Sequence, residues 1–252
     1  MKKIILILIF ISPISIAREK GQIEITTNQG IEVFQNEKYY LLKDNVNIVS
    51  DDFELNADLV KAYFEKDLYD ISKIEATGNA KLSSIKNIAA IGQKIYFSIN
   101  DQQIQVEGEN SNLNFNNLDM FSNKLILVDN IKKNFILKGK SSILKTEEIK
   151  IVASLITGKY ININDVNEIK ELDIKDENQL SITTKTAKMF SKKAKFNKKN
   201  DIIELFENVK IIRVNEIVEA EYAYIDLINE SYKVSSKNNK KVKLLIDNKT
   251  NE

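Results

Sequence analysis

The chain of 252 residues has no cysteine and no histidine. Their absence excludes thiolate and imidazole metal sites, Ser-His and Cys-His nucleophile pairs, and the side chain best matched to proton transfer near neutral pH. Proline occurs once, at Pro13, and seven glycines serve the whole chain. Turns therefore fall to Asn, Asp, Ser and Lys. An excess of charge of either sign is also missing, with 37 basic against 36 acidic side chains. Removing Lys2 and Lys3 with a leader leaves 35 against 36, a net charge of −1. Such a balance argues against nucleic acid as a partner, because that affinity comes largely from surplus Lys and Arg. There is no EF-hand loop, Gly-rich phosphate loop, Gly-x-Ser-x-Gly elbow or zinc-ligand spacing. Asp51-Asp52 and Glu147-Glu148 are adjacent carboxylates, but neighbours on a strand point to opposite faces, so they read as turn and solvated-face residues. No catalytic residue, cofactor or metal site is expected.

The N-terminus carries Lys2-Lys3, an apolar run from Ile4 to Ile11, and small residues at Ser15 and Ala17. Residues 4–16 are short for a membrane span of about 20 residues. The pattern is that of a cleaved signal peptide over residues 1–17, with the mature chain starting at Arg18 in the periplasm.

From Ile23 onward the apolar period is two, as in Val46 and Ile48, Leu113 and Phe115, Phe135 and Leu137, or Ile149 to Leu155. Alternation of this kind, broken every few residues by Asn, Asp, Gly or Lys, predicts an all-β protein. Asn56 to Glu65 fits a short helix, but its counterpart at Val218 to Asp226 is rich in Tyr and β-branched residues, which favours strand.

A longer period lies over the short one. Asn45-Val46 returns as Asn79-Ala80 and as Asn208-Val209, each opening an alternating run: Val46 and Ile48, Ala80 and Leu82, Val209 and Ile211. After a polar break, Leu55 and Ala57, Ala89 and Ile91, and Val218 and Ala220 stand at equal distances from their asparagines. Repeats of this length predict stacked supersecondary units. These twelve residues are the candidate apolar face, with the asparagine marking the turn into a strand. The repeat weakens after Asn123, which suggests two consecutive lobes sharing one core, 18–122 and 123–247, with a disordered tail at 248–252. The basic run from Lys192 to Lys199 reads as a solvated hairpin. Tyr222 and Tyr224 are expected on the same face as Val218 and Ala220.

Asn45 to Tyr63, Ala76 to Leu82, Glu207 to Ile211 and Val218 to Leu227 resemble the OstA-like repeats of the periplasmic lipopolysaccharide-transport proteins, the LptA family. Lys241 to Ile246 is similar to the ending of LptA proteins, and Ile182 to Phe190 resembles the related LptC family. The likeness is clear over Ile25 to Phe115 and Leu180 to Ile246. It implies an open β-jellyroll, two sheets in a V whose apolar groove takes the lipid A acyl chains of lipopolysaccharide. It also implies LptC-like inner-membrane and LptD-like outer-membrane partners, with head-to-tail self-association along the bridge. The function expected is a carrier of lipopolysaccharide between membranes and not an enzyme, the groove being lined by the twelve recurrent positions. Two other readings follow from the same residues: a membrane-tethered LptC-like adaptor, and a β-solenoid enzyme acting on polysaccharide.

Overall fold

The computed structural model describes residues 19–66, 70–85, 87–237 and 240–247. The expected signal peptide and tail lie outside the described residues. The described chain is all-β, with eighteen strands in chain order: β1 (Glu24–Thr26), β2 (Ile31–Phe34), β3 (Tyr39–Val49), β4 (Phe53–Phe64), β5 (Ile71–Ser84), β6 (Ile88–Ser98), β7 (Gln103–Glu107), β8 (Ser111–Phe115), β9 (Leu118–Ser122), β10 (Leu125–Asp129), β11 (Asn134–Lys145), β12 (Lys150–Ile163), β13 (Val166–Thr183), β14 (Lys188–Asn197), β15 (Ile202–Arg213), β16 (Glu216–Asp226), β17 (Ser231–Ser235) and β18 (Lys243–Ile246).

Each long strand pairs antiparallel with the strands before and after it, and each of these pairings has a register break near the middle, with a second nearer one end in β4–β5 and β12–β13. In β3, Lys43 pairs with Leu59 and Val46 with Ala57, so Asp44 and Asn45 oppose the single residue Asp58. Both of them have positive φ, 64° and 50°. The same bend recurs at Gly78-Asn79, with φ of 77° and 46°, and at Glu207-Asn208, with 65° and 55°. Left-handed backbone is disfavoured for residues with a Cβ, and Asn tolerates it better than most. The recurrent asparagine therefore marks a β-bulge inside one continuous strand. The expected turn into a new strand is not there.

Bulges in register fold the whole meander along a line. One layer holds β2, β7, β10 and β17 with one half of every long strand; the other holds β1, β8, β9 and β18 with the other half. Short strands preserve the same plan, since β7 and β8 together face β6 and β9 and β10 together face β11. The lobe boundary expected at 122/123 falls on this bend, and hydrogen bonding runs through it. Counting each bent strand as one rung gives fourteen rungs, from β1/β2 to β17/β18, about 60 Å of stack at ~4.8 Å per strand. Every pairing is antiparallel, so the parallel coil of a β-solenoid is not this fold.

Opposite the bend the two layers end in two rows of turns, and the gap between the rows is the mouth of the V. Two-residue turns at Asn116-Asn117 and Asn164-Asp165 have both φ values positive. That is the hairpin geometry whose twist suits flanking strands, and Asn and Asp are the residues that adopt it.

Candidate functional site

Two apolar ladders line the interior of the V, one per layer, and each crosses all fourteen rungs. In the layer of β1 the ladder runs Ile25, Ile48, Leu55, Leu82, Ala90, Leu113, Met120, Leu144, Ile151, Ile182, Met189, Ile211, Val218, Leu244, each residue paired with the next. In the layer of β2 it runs Ile31, Leu42, Val60, Ala76, Ile95, Val106, Ile126, Leu137, Ile156, Ile174, Ala194, Leu205, Ala223, Val234. No polar side chain interrupts either one.

Between the ends the ladders are buried against each other in a single core. At each end one ladder is covered, Ile25 and Val234 packing against the core, and the other is not. Ile31 on the first rung is 48% exposed and Leu244 on the last is 50% exposed, although both point inward. Ile246 and Val33 extend the exposed apolar surface at the two ends. The strands there, β1, β2, β17 and β18, each pair on one side only among the described residues.

Ten of the twelve sequence-derived positions lie inside. Ile48, Leu55, Leu82, Ile211 and Val218 are on the first ladder, and Val46, Ala57, Ala80, Val209 and Ala220 stand beside it toward the bend, all buried. Ala89 and Ile91 do not join them. They face outward, Ile91 at 49% exposure, while Ala90 and Gly92 point in and pair with Leu82 and Ala80. Ile48 pairs with Leu55 and Ile211 with Val218, seven residues on in each case, whereas Leu82 pairs with Ala90, eight residues on, and a one-residue shift exchanges the faces of a strand. The same logic corrects Tyr222 and Tyr224. Glu221 is the single residue opposite the Glu207-Asn208 bulge, where β16 bends, so Ala223 and Ile225 turn inward and both tyrosines outward. Tyr222 stacks against Phe206 and donates a hydrogen bond of 2.7 Å to Glu204 Oε1. Burial, and then that bond, push its phenol up to about 12.

Periodicity left the layer of β2 out of the candidate face. Its ladder is present as alternation, but the asparagine frame marks only the other layer.

Three contacts cross the mouth. Phe53 meets Phe97 edge to face at 6.3 Å between centroids. Phe115 meets Tyr160 at 5.4 Å, and Asn167 Nδ2 donates to the Phe115 carbonyl at 3.3 Å. Tyr232 donates to Glu216 Oε2 at 3.1 Å, with the Arg213 guanidinium 4.8 Å from its ring.

The outer side of the bend is polar. A cleft of about 1180 Å³ there is lined by Lys124, Lys138, Lys140, Lys175, Lys192 and Lys193 together with Glu109, Asp176, Glu177 and Glu207. Lys193 donates to Glu207 at 2.7 Å and holds that carboxyl below its usual range. The expected basic hairpin is formed by the end of β14 and its following turn, where Lys198 pairs with Asp201 at 3.2 Å. Asp129 and Asp226 are also held low, chiefly by the backbone N–H groups of Lys132 and Asn229. A general acid needs the opposite shift. Among the described residues no group of acidic side chains is arranged to hold a metal ion.

Residues 24–135 match the family model of LptA and the LptD N-terminal domain, LPS transport proteins. This LptA/LptD-like segment runs from β1 into β11, and it contains the resemblance expected over Ile25 to Phe115. The second expected stretch, Leu180 to Ile246, lies beyond it. Among solved structures, that of LptH, the LptA homologous periplasmic component of the conserved lipopolysaccharide transport device from Pseudomonas aeruginosa, is similar at 10% identity and a TM-score of 0.44, over 52% of this chain and 96% of that one. No curated protein matches.

Proposed function

We propose that the protein is a periplasmic carrier of lipopolysaccharide, holding the lipid A acyl chains along its interior and passing them from end to end. The observation that supports this is the pair of uninterrupted apolar ladders, buried in the middle and with one inward residue half exposed at each end, Ile31 and Leu244. A closed domain gains nothing from apolar, inward-facing residues left in water at its two terminal rungs. Acyl chains bind to such a surface by area, at about 25 cal/mol per Å² buried, and need no reactive group. A binding role suits a chain without histidine or cysteine, and the family description of residues 24–135 supplies the ligand class.

The terminal strands suit partners that add a strand in register and extend the ladders, since unpaired edges recruit further strands. On this reading the two ends meet LptC-like and LptD-like proteins or another copy of the chain. The LptA-like assignment is preferred to the LptC-like adaptor because the matching family is described by LptA and LptD.

Equilibrium binding of fluorophore-labelled lipopolysaccharide, with acylated and deacylated lipopolysaccharide as competitors, tests the reading. Competition by the acylated form alone is expected. Equal competition by the deacylated form, or no binding at all, overturns it.

A further inference from the structure

The interior is filled by its own side chains, so a lipid enters only if the layers part, and one element ties them together at mid-length. β12 and β13 run past their neighbours. Lys159 is the last residue of β12 paired with β11, and Glu171 the first of β13 paired with β14. Residues 160–170 beyond that point form a hairpin closed by the Asn164-Asp165 turn. Tyr160 pairs with Ile169 and Lys159 with Glu171, so Lys170 is an extra residue at the hairpin's base. A bulge there bends the ribbon out of its sheet.

The bend carries it across the mouth. Tyr160, Asn167 and Ile169 are buried on its inner side. Tyr160 is held by a 2.9 Å hydrogen bond to Asn130 and packs on Phe115 of the opposite layer. Asn167, braced by Asn162 at 2.9 Å, donates to the Phe115 carbonyl. The tip is differently seated. Asn116, Asn117, Glu147 and Asp165 border a polar cleft of about 540 Å³ between the hairpin and the opposite turns, and a second cleft of about 250 Å³ lies alongside at Val166 to Ile169. The hairpin is thus anchored at its base by apolar packing, by the Tyr160–Asn130 bond and by backbone bonds from Tyr160 N–H to the Lys133 carbonyl at 3.0 Å and from Lys198 N–H to the Lys170 carbonyl at 2.9 Å, and is clasped to the opposite layer by one side-chain hydrogen bond, with water-accessible space under its end.

We infer that residues 161–169 are a gate over the interior, which lifts about the base held at Tyr160 and Lys170 to admit acyl chains from the side and closes through the Asn167 clasp. Exposed Ile161, Ile163 and Val166 on its outer side give a passing chain an apolar surface on either side of the ribbon. The gate rests on the carrier reading, because it regulates the same interior.

The absence of native cysteine permits a clean test in the full mature chain. Asn117→Cys and Asp165→Cys together, joined by a reducible bismaleimide, lock the gate, and Asn167→Ala releases its clasp. Uptake of fluorophore-labelled lipopolysaccharide is followed by stopped flow. The locked protein is expected to load about tenfold more slowly and to recover on reduction, and Asn167→Ala to load faster than wild type, since apparent uptake scales with the fraction in the open state. Wild type that loads, with locked and unclasped forms loading at the same rate, overturns the gate and leaves the carrier standing. Failure of every form to load, wild type included, overturns the carrier reading and the gate with it.

Discussion

At the scale of single residues the fold turns on a few left-handed positions. Asp44 and Glu207 occupy backbone with φ of 64° and 65°, where the equivalent site in β5 is Gly78. Asp44→Gly is expected to raise stability by roughly 0.5–1 kcal/mol, and Asn45→Val to lower it by ~1–2 kcal/mol, the cost of forcing a β-branched residue into that region. Chemical denaturation of the two variants checks both signs. Tyr222 gives a test in pH. Its phenol titrates higher in the folded state than in the unfolded chain, where the ordinary value is 10.0. Its contribution is therefore complete below pH 10.0 and is lost as the pH rises toward about 12. Tyr222→Phe is expected to flatten that part of the alkaline melting profile, and an unchanged slope contradicts the assignment. The sequence showed that Asn45, Asn79 and Asn208 share a role but not which one, because an asparagine in a bulge and one in a turn sit equally well between alternating runs. The inward set at Val46, Leu55 and Leu82 was legible as alternation. Ala89 and Ile91 were misplaced because a count from the asparagine ignores the one extra residue between Leu82 and Ala90.

Elements in this protein are bent strands, and each bend reverses which alternate residues face the core. Leu55 and Ala57 point inward before the bend in β4, and Val60 and Ala62 after it. Alternation read straight through such a strand assigns half of it to the wrong side, which is how Tyr222 and Tyr224 came to be expected in the core. The β12–β13 hairpin was hidden for another reason. Its alternation through Ile161, Ile163 and Val166 looks like any strand, and only the pairing shows that no neighbour accompanies it. A trimmed variant in which residues 161–168 are replaced by Asn-Gly keeps the Tyr160–Ile169 pair and supplies a two-residue turn. It is expected to retain its β circular dichroism and to bind more apolar dye than wild type, since the interior beside Phe115 loses the cover of the buried Asn167. Dye binding equal to wild type contradicts the placement of the hairpin over the interior.

For the whole molecule the consequence is an apolar interior about 60 Å long at ~4.8 Å per rung, filled by its own side chains along its length and half exposed only at its ends. Composition alone pointed away from catalysis, and alternation pointed to sheets, but the end-to-end continuity of the ladders needed the register of every pair. The end faces carry their own expectation. If Ile31 and Leu244 meet across a head-to-tail contact, Ile31→Lys or Leu244→Lys each suppress self-association measured by analytical ultracentrifugation, while the melting temperature stays close to wild type because both side chains are already half exposed. Association that is unaffected by either change places the contact elsewhere.

On the carrier reading, acyl chains lie along the inner face and not on the outer one. This placement is tested most directly by a small diazirine leucine analogue placed, one at a time, at Leu55 and Ile211 on the inner ladder and at Ile91 on the opposite face, followed by irradiation in cells exporting lipopolysaccharide. Capture of lipopolysaccharide from Leu55 and Ile211 with none from Ile91 is the expected result. Capture from Ile91 alone, or from no position in protein that is folded and exported, contradicts it.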